Sequence, residues 1–169
     1  MADLKKGILL VGHGGIPKGY PADLVSKLKR LEAQRRAAGQ PMSAEELVLD
    51  TKIRTWPRTP ETDPYQAGLE ALGAQMKPMV NGALFALAYN EFCGPTLQEA
   101  VEDHIKQGAQ SITIVSTMFT PGGSHSEYEI PEELEELRKQ HPGVTLNYAW
   151  PYNLTKVSEM LIEHIGQFS

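Results

Sequence analysis

The sequence predicts an α/β protein with a flavodoxin-like, four-stranded parallel sheet and helices on both of its faces. Short apolar runs that stop at glycine or polar residues alternate along the chain with segments of helical periodicity. Apolar runs of about four to eight residues flanked by Gly and Pro are typical of buried parallel strands, and alternation of strand and helix favours a parallel sheet. We therefore expect strands near residues 7–12, 83–89, 112–118 and 144–149.

The third predicted strand is the one around which the chain is organised. The run Ile112 to Phe119 is mostly apolar or β-branched and stops at Pro121-Gly122-Gly123. Polar side chains follow at once, namely Ser124, His125, Glu127 and Glu129. Because ligands of open α/β sheets collect beyond the carboxyl ends of the strands, we expect chemistry in this loop.

Helical periodicity marks the segments between the strands. Apolar side chains recur at helical spacing between residues 21 and 38, 65 and 79, 95 and 108, 131 and 141, and after residue 153. Pro95 and Pro131 suit first helical turns, and Asn153 suits a cap for the last helix. The predicted order is strand, helix, insertion, helix, strand, helix, strand, helix, strand, helix.

Residues 39–64 are predicted to form an irregular insertion into a single domain spanning residues 1–169. Four prolines interrupt a continuous helix here: Pro41, Pro57, Pro60 and Pro64. Only Ser43 to Asp50 is compatible with a couple of helical turns. We expect the insertion to form a flap over the carboxyl edge, with Arg54 or Arg58 binding ligand carboxylates and Trp56 covering an apolar edge. A mobile surface loop is the alternative.

Composition narrows the class of protein. A net charge of −5 over 169 residues argues against a nucleic-acid binder, which usually carries a basic excess. The single cysteine, Cys93, cannot form an internal disulfide, which fits a reducing compartment. The start of the chain does not resemble a signal peptide, and no segment reaches the ~20 apolar residues that span a bilayer. We expect a cytoplasmic protein without a membrane anchor.

Strand order brings distant residues together. With right-handed crossovers, the simplest order is 2-1-3-4, which makes strands one and three neighbours. His13 follows strand one and His125 follows strand three, so both should lie at the same crevice, with Glu91 from the end of strand two on the same edge.

The side chains predicted to meet at the crevice suit only a few kinds of chemistry. Two neutral imidazoles can bind a divalent first-row metal, accept protons at neutral pH, or do both, and a nearby carboxylate adds charge. Read singly, His13 is a turn residue in a glycine-rich loop. His104, His141 and His164 are predicted to lie at the surface, and Cys93 is predicted to be a packing residue.

Three blocks of the sequence resemble the small sirohydrochlorin chelatases of the class II chelatase superfamily. They are GILLVGHGG (Gly7 to Gly15), YNEFCGPTLQEAV (Tyr89 to Val101) and ITIVSTMFTPGGSHSEYEIP (Ile112 to Pro131). The resemblance implies a chelatase-like fold and ATP-independent insertion of cobalt, iron or nickel into a tetrapyrrole, with the metal as substrate and no organic cofactor. It also implies a homodimer.

The resemblance extends to single residues. His13 and His125 match the two active-site histidines of that family, where they would hold the metal, and Glu91 matches its acidic position. Substrate contacts are expected from Gly14, Gly15 and Ser124, with Arg54 and Arg58 added from the insertion. Gly15 and Ile16 stand where the family often has Ser and Arg, a change expected to weaken binding of substrate carboxylates.

Other functions fit the sequence less well. A carrier of metal or tetrapyrrole would use the same residues without catalysis. Histidine phosphatases resemble this chain in placing a histidine after the first strand, but an arginine precedes that histidine, and Gly12 stands there in this chain. A serine hydrolase is disfavoured because the segment around Ser124 lacks the closing glycine of a nucleophile elbow.

Overall fold

The computed structural model describes residues 4–168, and at its centre is a sheet of four parallel strands. The strands are β1 (Lys6–Gly12), β2 (Leu84–Tyr89), β3 (Ser111–Ser116) and β4 (Thr145–Tyr148). Their order is β2-β1-β3-β4, and each neighbouring pair is parallel. The predicted α/β fold and strand order are confirmed, and each strand begins and ends within two residues of its predicted bounds.

Six α-helices connect and flank the strands. They are α1 (Ala22–Ala38), α2 (Ala44–Arg54), α3 (Pro64–Met76), α4 (Leu97–Lys106), α5 (Ile130–Gln140) and α6 (Leu154–Ile165). A 3₁₀ turn extends α3 and a π-helical turn, His125–Glu129, leads into α5. Side chains of Ser43, Asp63, Thr96 and Asn153 accept backbone N–H groups at the starts of α2, α3, α4 and α6. These caps satisfy orphan donors and set where the helices begin.

One face of the sheet carries the main core. Alternate strand residues, among them Leu9, Ile112 and Ile114, pack against α4 and α5 and are fully buried. Each such side chain contributes roughly 1.5–3 kcal/mol through burial. This face holds the carboxyl ends of the strands in a fixed arrangement.

The prediction that His104 lies at the surface is wrong. Its side chain is 1% exposed and lies beneath this face. The physical reason is its position on α4, three residues after Val101 and seven after Leu97, which places it on the buried stripe of the helix.

The other face of the sheet is covered only in part. Leu69 of α3 packs with Leu10 and Tyr89, and Gly73 lies so close to Leu87 that an added Cβ would approach its Cδ2 to 2.8 Å. Helix α3 therefore covers β2 and β1. Residues of β3 and β4 on this face remain partly or fully exposed.

The segment 39–64 is more regular than the sequence predicts. It contains the 11-residue helix α2, of which Leu49 and Ile53 pack with Leu28 of α1 and with Phe92, which follows β2. Trp56 packs against the same cluster and meets Tyr20 edge to face, with 5.0 Å between ring centroids. Pro41 lies in the break between α1 and α2, and Pro57, Pro60 and Pro64 follow the end of α2 at Arg54. No helix within residues 4–168 is both long and apolar enough to cross a lipid bilayer.

Candidate metal site

The loops after β1 and β2 are joined by backbone hydrogen bonds. The Asn90 amide donates to the Gly12 carbonyl at 2.9 Å, and the Glu91 amide donates to the His13 carbonyl at 2.8 Å. These bonds extend the strand pairing past the ends of the strands. The side chain of Glu91 is thereby placed beside His13.

Gly14 allows this close approach. Its φ is +94°, and a Cβ at this position would lie 1.8 Å from the carbonyl oxygen of Glu91. Any side chain would both strain the backbone and push the two loops apart. The structure thus gives Gly14 a role in shaping the site, while the predicted contact of Gly14 with substrate remains a prediction.

His13 and His125 face each other across the crevice. Their Nε2 atoms are 3.2 Å apart and their rings meet edge to face, with centroids 4.7 Å apart. The predicted convergence of these residues, 112 positions apart in sequence, is present. Glu91 Oε1 lies 3.9 Å from His125 Nε2, and one potential ligand atom from each of the three side chains falls within 4.8 Å of the others.

The spacing fits a shared cation. With metal–nitrogen bonds of about 2.1 Å, two nitrogens 3.2 Å apart subtend an angle of about 100° at the metal, close to tetrahedral and octahedral values. Three protein ligands leave further coordination positions open. Side chains of His125 and Glu91 are 19% and 21% exposed, so the site is accessible from solvent.

Hydrogen bonds from the far nitrogens set the tautomers of both rings. His13 Nδ1 lies 2.9 Å from the Gly14 carbonyl, and His125 Nδ1 lies 3.0 Å from Glu129 Oε2. The Gly14 carbonyl only accepts, so Nδ1 of His13 carries the proton in the neutral ring, and the Glu129 carboxylate favours the same tautomer for His125. Two Nε2 lone pairs then face each other, an arrangement that favours a metal ion or a proton between them.

Glu129 was not assigned a role from the sequence. Burial alone would raise the pKa of Glu129, but hydrogen bonds from Arg36 and His125 outweigh burial and lower the pKa to about 2. The carboxylate is therefore ionised at neutral pH. Arg36 Nη2 donates to Glu129 Oε2 at 2.9 Å. The side-chain nitrogen of Asn90, Nδ2, lies 3.4 Å from the same oxygen and 2.8 Å from His125 Nδ1.

The π-helical turn explains why Glu129 reaches His125. Both residues belong to it, and four positions along such a turn bring side chains to nearly the same side. No pattern in the sequence marked this turn. Tyr65, also missed, accepts a hydrogen bond from the His13 amide through its hydroxyl at 2.6 Å and fixes the start of the β1 loop.

The two arginines predicted to bind substrate carboxylates have partners within the protein. Arg58 is 5% exposed, pairs with Asp63 and donates to the carbonyls of Gly15, Ile53 and Phe92. Arg54 pairs with Asp50 at 2.8 Å and donates to the carbonyls of Cys93 and Asn90. Both tie α2 to the loops after β1 and β2. The geometry does not support Arg58 as a carboxylate-binding residue, because its side chain is buried and both of its terminal nitrogens donate to groups within the protein.

Comparison with known proteins identifies the family. Residues 61–165, more than half of the chain, match the CbiX family. The chain belongs to the CbiX family. The predicted resemblance to the small sirohydrochlorin chelatases is thereby confirmed at the level of the family.

Curated relatives of this CbiX-family chain are longer proteins. It is 28% identical over 82 residues to the sirohydrochlorin ferrochelatase of Priestia megaterium and 26% identical over 78 residues to that of Bacillus subtilis (strain 168). The matches cover 48% and 46% of this chain and 30% of each relative. This chain therefore aligns with under a third of the length of either relative.

Solved structures show the same fold. Sirohydrochlorin chelatase SirB from Bacillus subtilis subspecies spizizenii, in complex with cobalt, superposes with a TM-score of 0.53 at 22% identity, over 88% of this chain and 44% of SirB. A CbiX protein from Marinobacter aquaeolei VT8 superposes with a TM-score of 0.52 at 18% identity, over 97% of this chain and 99% of that one. The predicted chelatase-like fold is confirmed.

A cavity of about 720 Å³ adjoins the site of this CbiX-family chain. It lies between α1, α2 and α5, and Glu91, Glu129 and Ser124 line it while neither His13 nor His125 does. Eight carboxylates and three arginines contribute to its wall. The arginines are paired with acidic partners, so the cavity is acidic on balance.

Cys93 is buried beside the site, as predicted for a packing residue. Burial is the main reason that the pKa of its thiol is raised, which makes the reactive thiolate scarce. The prediction that His164 lies at the surface is confirmed, since it is exposed in the last turn of α6. His141, also predicted at the surface, directly follows α5 and is partly buried.

Proposed function

We propose that the protein inserts a divalent metal into sirohydrochlorin or a related tetrapyrrole without ATP or an organic cofactor. The observation that carries this proposal is the opposed pair of Nε2 atoms, 3.2 Å apart, with the Glu91 carboxylate beside them. Membership of the CbiX family and the names of the ferrochelatase relatives support it. The metal, as Co(II), Fe(II) or Ni(II), is a substrate.

The donor set suits temporary binding. A closed set of four strong ligands would retain the ion, whereas two imidazoles and one carboxylate leave positions open to the macrocycle. Hydrogen bonds at both Nδ1 atoms keep the Nε2 lone pairs directed into the crevice, which fixes the rings without closing the site. The ion can therefore be bound, oriented and handed over.

Metallation also requires proton acceptors. The tetrapyrrole exchanges two pyrrole N–H protons for one divalent ion, so two protons must leave for each metal inserted. Once the ion moves to the macrocycle, the Nε2 atoms of His13 and His125 are free to accept them, and Glu91 offers a third basic group. Imidazole is the side chain that most often transfers protons in enzymes, so either ring can pass its proton on to solvent.

The acidic charge of the cavity favours approach of the metal and the tetrapyrrole from different sides of the histidine pair. A polyanionic tetrapyrrole is disfavoured in a cavity whose carboxylates outnumber its arginines eight to three, whereas a cation is attracted there. We assign the cavity, with Ser124 and Glu129 on its wall, to the approach of the metal. The tetrapyrrole is assigned to the open side of the histidine pair, where Gly15 and the exposed Ile16 border His13.

Absorbance spectroscopy tests the proposal. Sirohydrochlorin is incubated with Co(II), Fe(II) or Ni(II), with and without the protein, and the spectral change on metallation is followed. His13→Ala and His125→Ala should each lower the insertion rate about 100-fold or more, the usual scale for loss of acid–base assistance. The double variant should be scarcely worse than either single variant, because the two residues act as a unit. His164→Ala, which removes an exposed histidine of α6, is the matched control.

The same assay separates an enzyme from a carrier. A carrier would bind metal or tetrapyrrole in proportion to its concentration and leave the insertion rate at the protein-free value. Insertion at the wild-type rate by a folded His125→Ala variant would contradict the proposed role of His125 in metal insertion.

A further inference from the structure

Tyr65, in the first turn of α3, has a hydroxyl proton that is available for a ligand. Its oxygen accepts the backbone N–H of His13 at 2.6 Å, and this is the only hydrogen bond of the side chain within residues 4–168. A phenol hydroxyl can donate one hydrogen bond as well as accept, so the donor of Tyr65 is unused. The residue is 40% exposed and the bond to His13 is itself exposed to solvent, so a ligand can reach the hydroxyl.

The start of α3 is tied to the loop after β1, which gives Tyr65 a fixed position beside the histidine pair. The Lys18 amide donates to the Thr62 carbonyl at 2.8 Å. Asp63, which caps α3, is buried and paired with Arg58. A hydroxyl that is already held in place costs little ordering when a ligand binds to it.

The residues around the Tyr65 hydroxyl leave room for a large apolar ligand. Gly15 has no side chain, and a Cβ there would lie 3.4 Å from the Cβ of Tyr65. Ile16 follows it and is 44% exposed. The surface next to His13 is therefore accessible and mainly apolar, with one hydroxyl donor in it.

Lys18 adds a positive charge to the same loop. Its side chain is exposed, and no ion pair among the described residues includes it. By contrast, Arg36, Arg54 and Arg58 are all paired with carboxylates. None of residues 13–20 lines the acidic cavity. A ligand carboxylate is therefore attracted to the loop that carries Lys18 and repelled from the cavity.

We propose that Tyr65 and Lys18 bind a carboxylate at the edge of the tetrapyrrole, with the Tyr65 hydroxyl as hydrogen-bond donor and Lys18 as the counter-charge. The identity of this ligand rests on the proposed function. His13 meets the metal position through Nε2 and meets Tyr65 through its backbone amide, at the other end of the residue. This separation suits a ligand whose metal-binding nitrogens are central and whose carboxylates are peripheral. Such a site selects tetrapyrroles that carry free carboxylates over those that lack them.

Binding of metal-free sirohydrochlorin, followed by quenching of tryptophan fluorescence, measures this contact without metal insertion. Tyr65→Phe removes only the hydroxyl and should raise Kd about 10-fold, the scale of a hydrogen bond to a charged group. Lys18→Met should raise Kd about 3-fold and make it less dependent on salt. Tyr128→Phe, at an exposed tyrosine of the acidic cavity, and Lys52→Met, at an exposed lysine of α2, are the matched controls and should bind as the wild type does.

Two further measurements separate contact with the ligand from a structural role of Tyr65. Tyr65→Phe also removes the acceptor of the His13 amide, so Co(II) is titrated in the absence of tetrapyrrole, and its affinity should stay close to that of the wild type. The methyl ester of sirohydrochlorin, in which every carboxylate is esterified, should bind the wild type and Tyr65→Phe with nearly equal affinity.

The proposal fails if the wild type does not bind metal-free sirohydrochlorin, or if Tyr65→Phe binds it as tightly as the wild type does. It also fails if Tyr65→Phe loses as much affinity for Co(II) as for the tetrapyrrole, because Tyr65 would then only support His13. These outcomes differ from failure of the proposed function. A wild type that binds sirohydrochlorin through Tyr65 but inserts no metal would contradict the reaction and leave the carboxylate contact intact.

Discussion

Oε2 of Glu129 lies 3.0 Å from Nδ1 of His125, on the side of the ring opposite to the nitrogen that faces His13. Arg36, from α1, holds the same carboxylate at 2.9 Å. Carboxylates in this position orient metal-binding histidines and raise their basicity. Under the proposed function, Glu129 would be a positioning residue that acts on the metal only through His125.

Glu129→Gln is expected to lower Co(II) affinity and the metal-insertion rate about 10- to 100-fold, the usual effect of losing such a partner. The side chain keeps its size but loses the charge that holds the Nδ1 proton. Affinity is measured by titration with Co(II), and the insertion rate is measured by absorbance. Glu135→Gln, on an exposed part of α5 outside the cavity lining, should leave both properties unchanged. Wild-type affinity in Glu129→Gln would remove the role assigned to this carboxylate.

The sequence predicted the sheet and the histidine pair for the same reason. Apolar runs that end at glycine locate the ends of strands, and the handedness of crossovers then determines which ends are adjacent. His13, Glu91 and His125 could be brought together because each directly follows or ends a strand. Nothing in this step required knowledge of side-chain contacts.

Contacts between side chains were harder to predict from the sequence than the strand order. The π-helical turn that aligns Glu129 with His125 has no compositional signal. Ser43 followed by Glu46 is a helix-start pattern, and it does mark the start of α2. Because prolines and threonines are frequent in the same segment, only a couple of helical turns were predicted there. Arg58 reads as a surface cation in sequence, because its partner Asp63 and the carbonyls around it come together only in the folded chain.

Gly14→Ala is expected to disrupt the site and to destabilise the protein. The new Cβ would lie 1.8 Å from the Glu91 carbonyl oxygen, and φ of +94° is unfavourable for alanine. Backbone strain of this kind costs of order 1–3 kcal/mol, and displacement of Glu91 adds loss of metal affinity. Urea unfolding and Co(II) titration measure the two effects. Gly123→Ala, where an added Cβ meets nothing within 4 Å, should be nearly neutral in both measurements.

Arg58→Ala is expected to lower the free energy of unfolding by about 3–5 kcal/mol, because it leaves the buried Asp63 carboxylate without its cation. Asp63 is 3% exposed and caps α3, so the loss should also loosen the start of that helix. Chemical denaturation measures the change. Arg30→Ala, on the exposed side of α1, is the matched control and should change stability little. If Arg58→Ala weakened tetrapyrrole binding with no loss of stability, the carboxylate-binding role predicted from the sequence would be restored.

His104 should make the stability of the protein depend on pH below neutrality. Burial is the main cause that lowers the pKa of His104, and the charge of the neighbouring Asp103 opposes it only in part. Neither ring nitrogen has a hydrogen-bond partner among the described residues, and the ring lies against Gly7, where an added Cβ would approach Cδ2 to 2.4 Å.

The sign of the effect follows from the direction of the pKa shift. With the folded-state pKa below the unfolded value of about 6.5, the unfolded chain binds more protons as the pH falls. The free energy of unfolding should therefore decrease as the pH falls below about 6.5, down to the pKa of the folded state. Well above pH 6.5, His104 should make no contribution to it.

His104→Leu replaces the ring with an apolar side chain and should flatten this part of the pH profile, measured by urea unfolding at a series of pH values. His164→Leu removes an exposed histidine instead and should keep the wild-type slope. Equal slopes in His104→Leu and the wild type would mean that His104 does not cause the acid sensitivity.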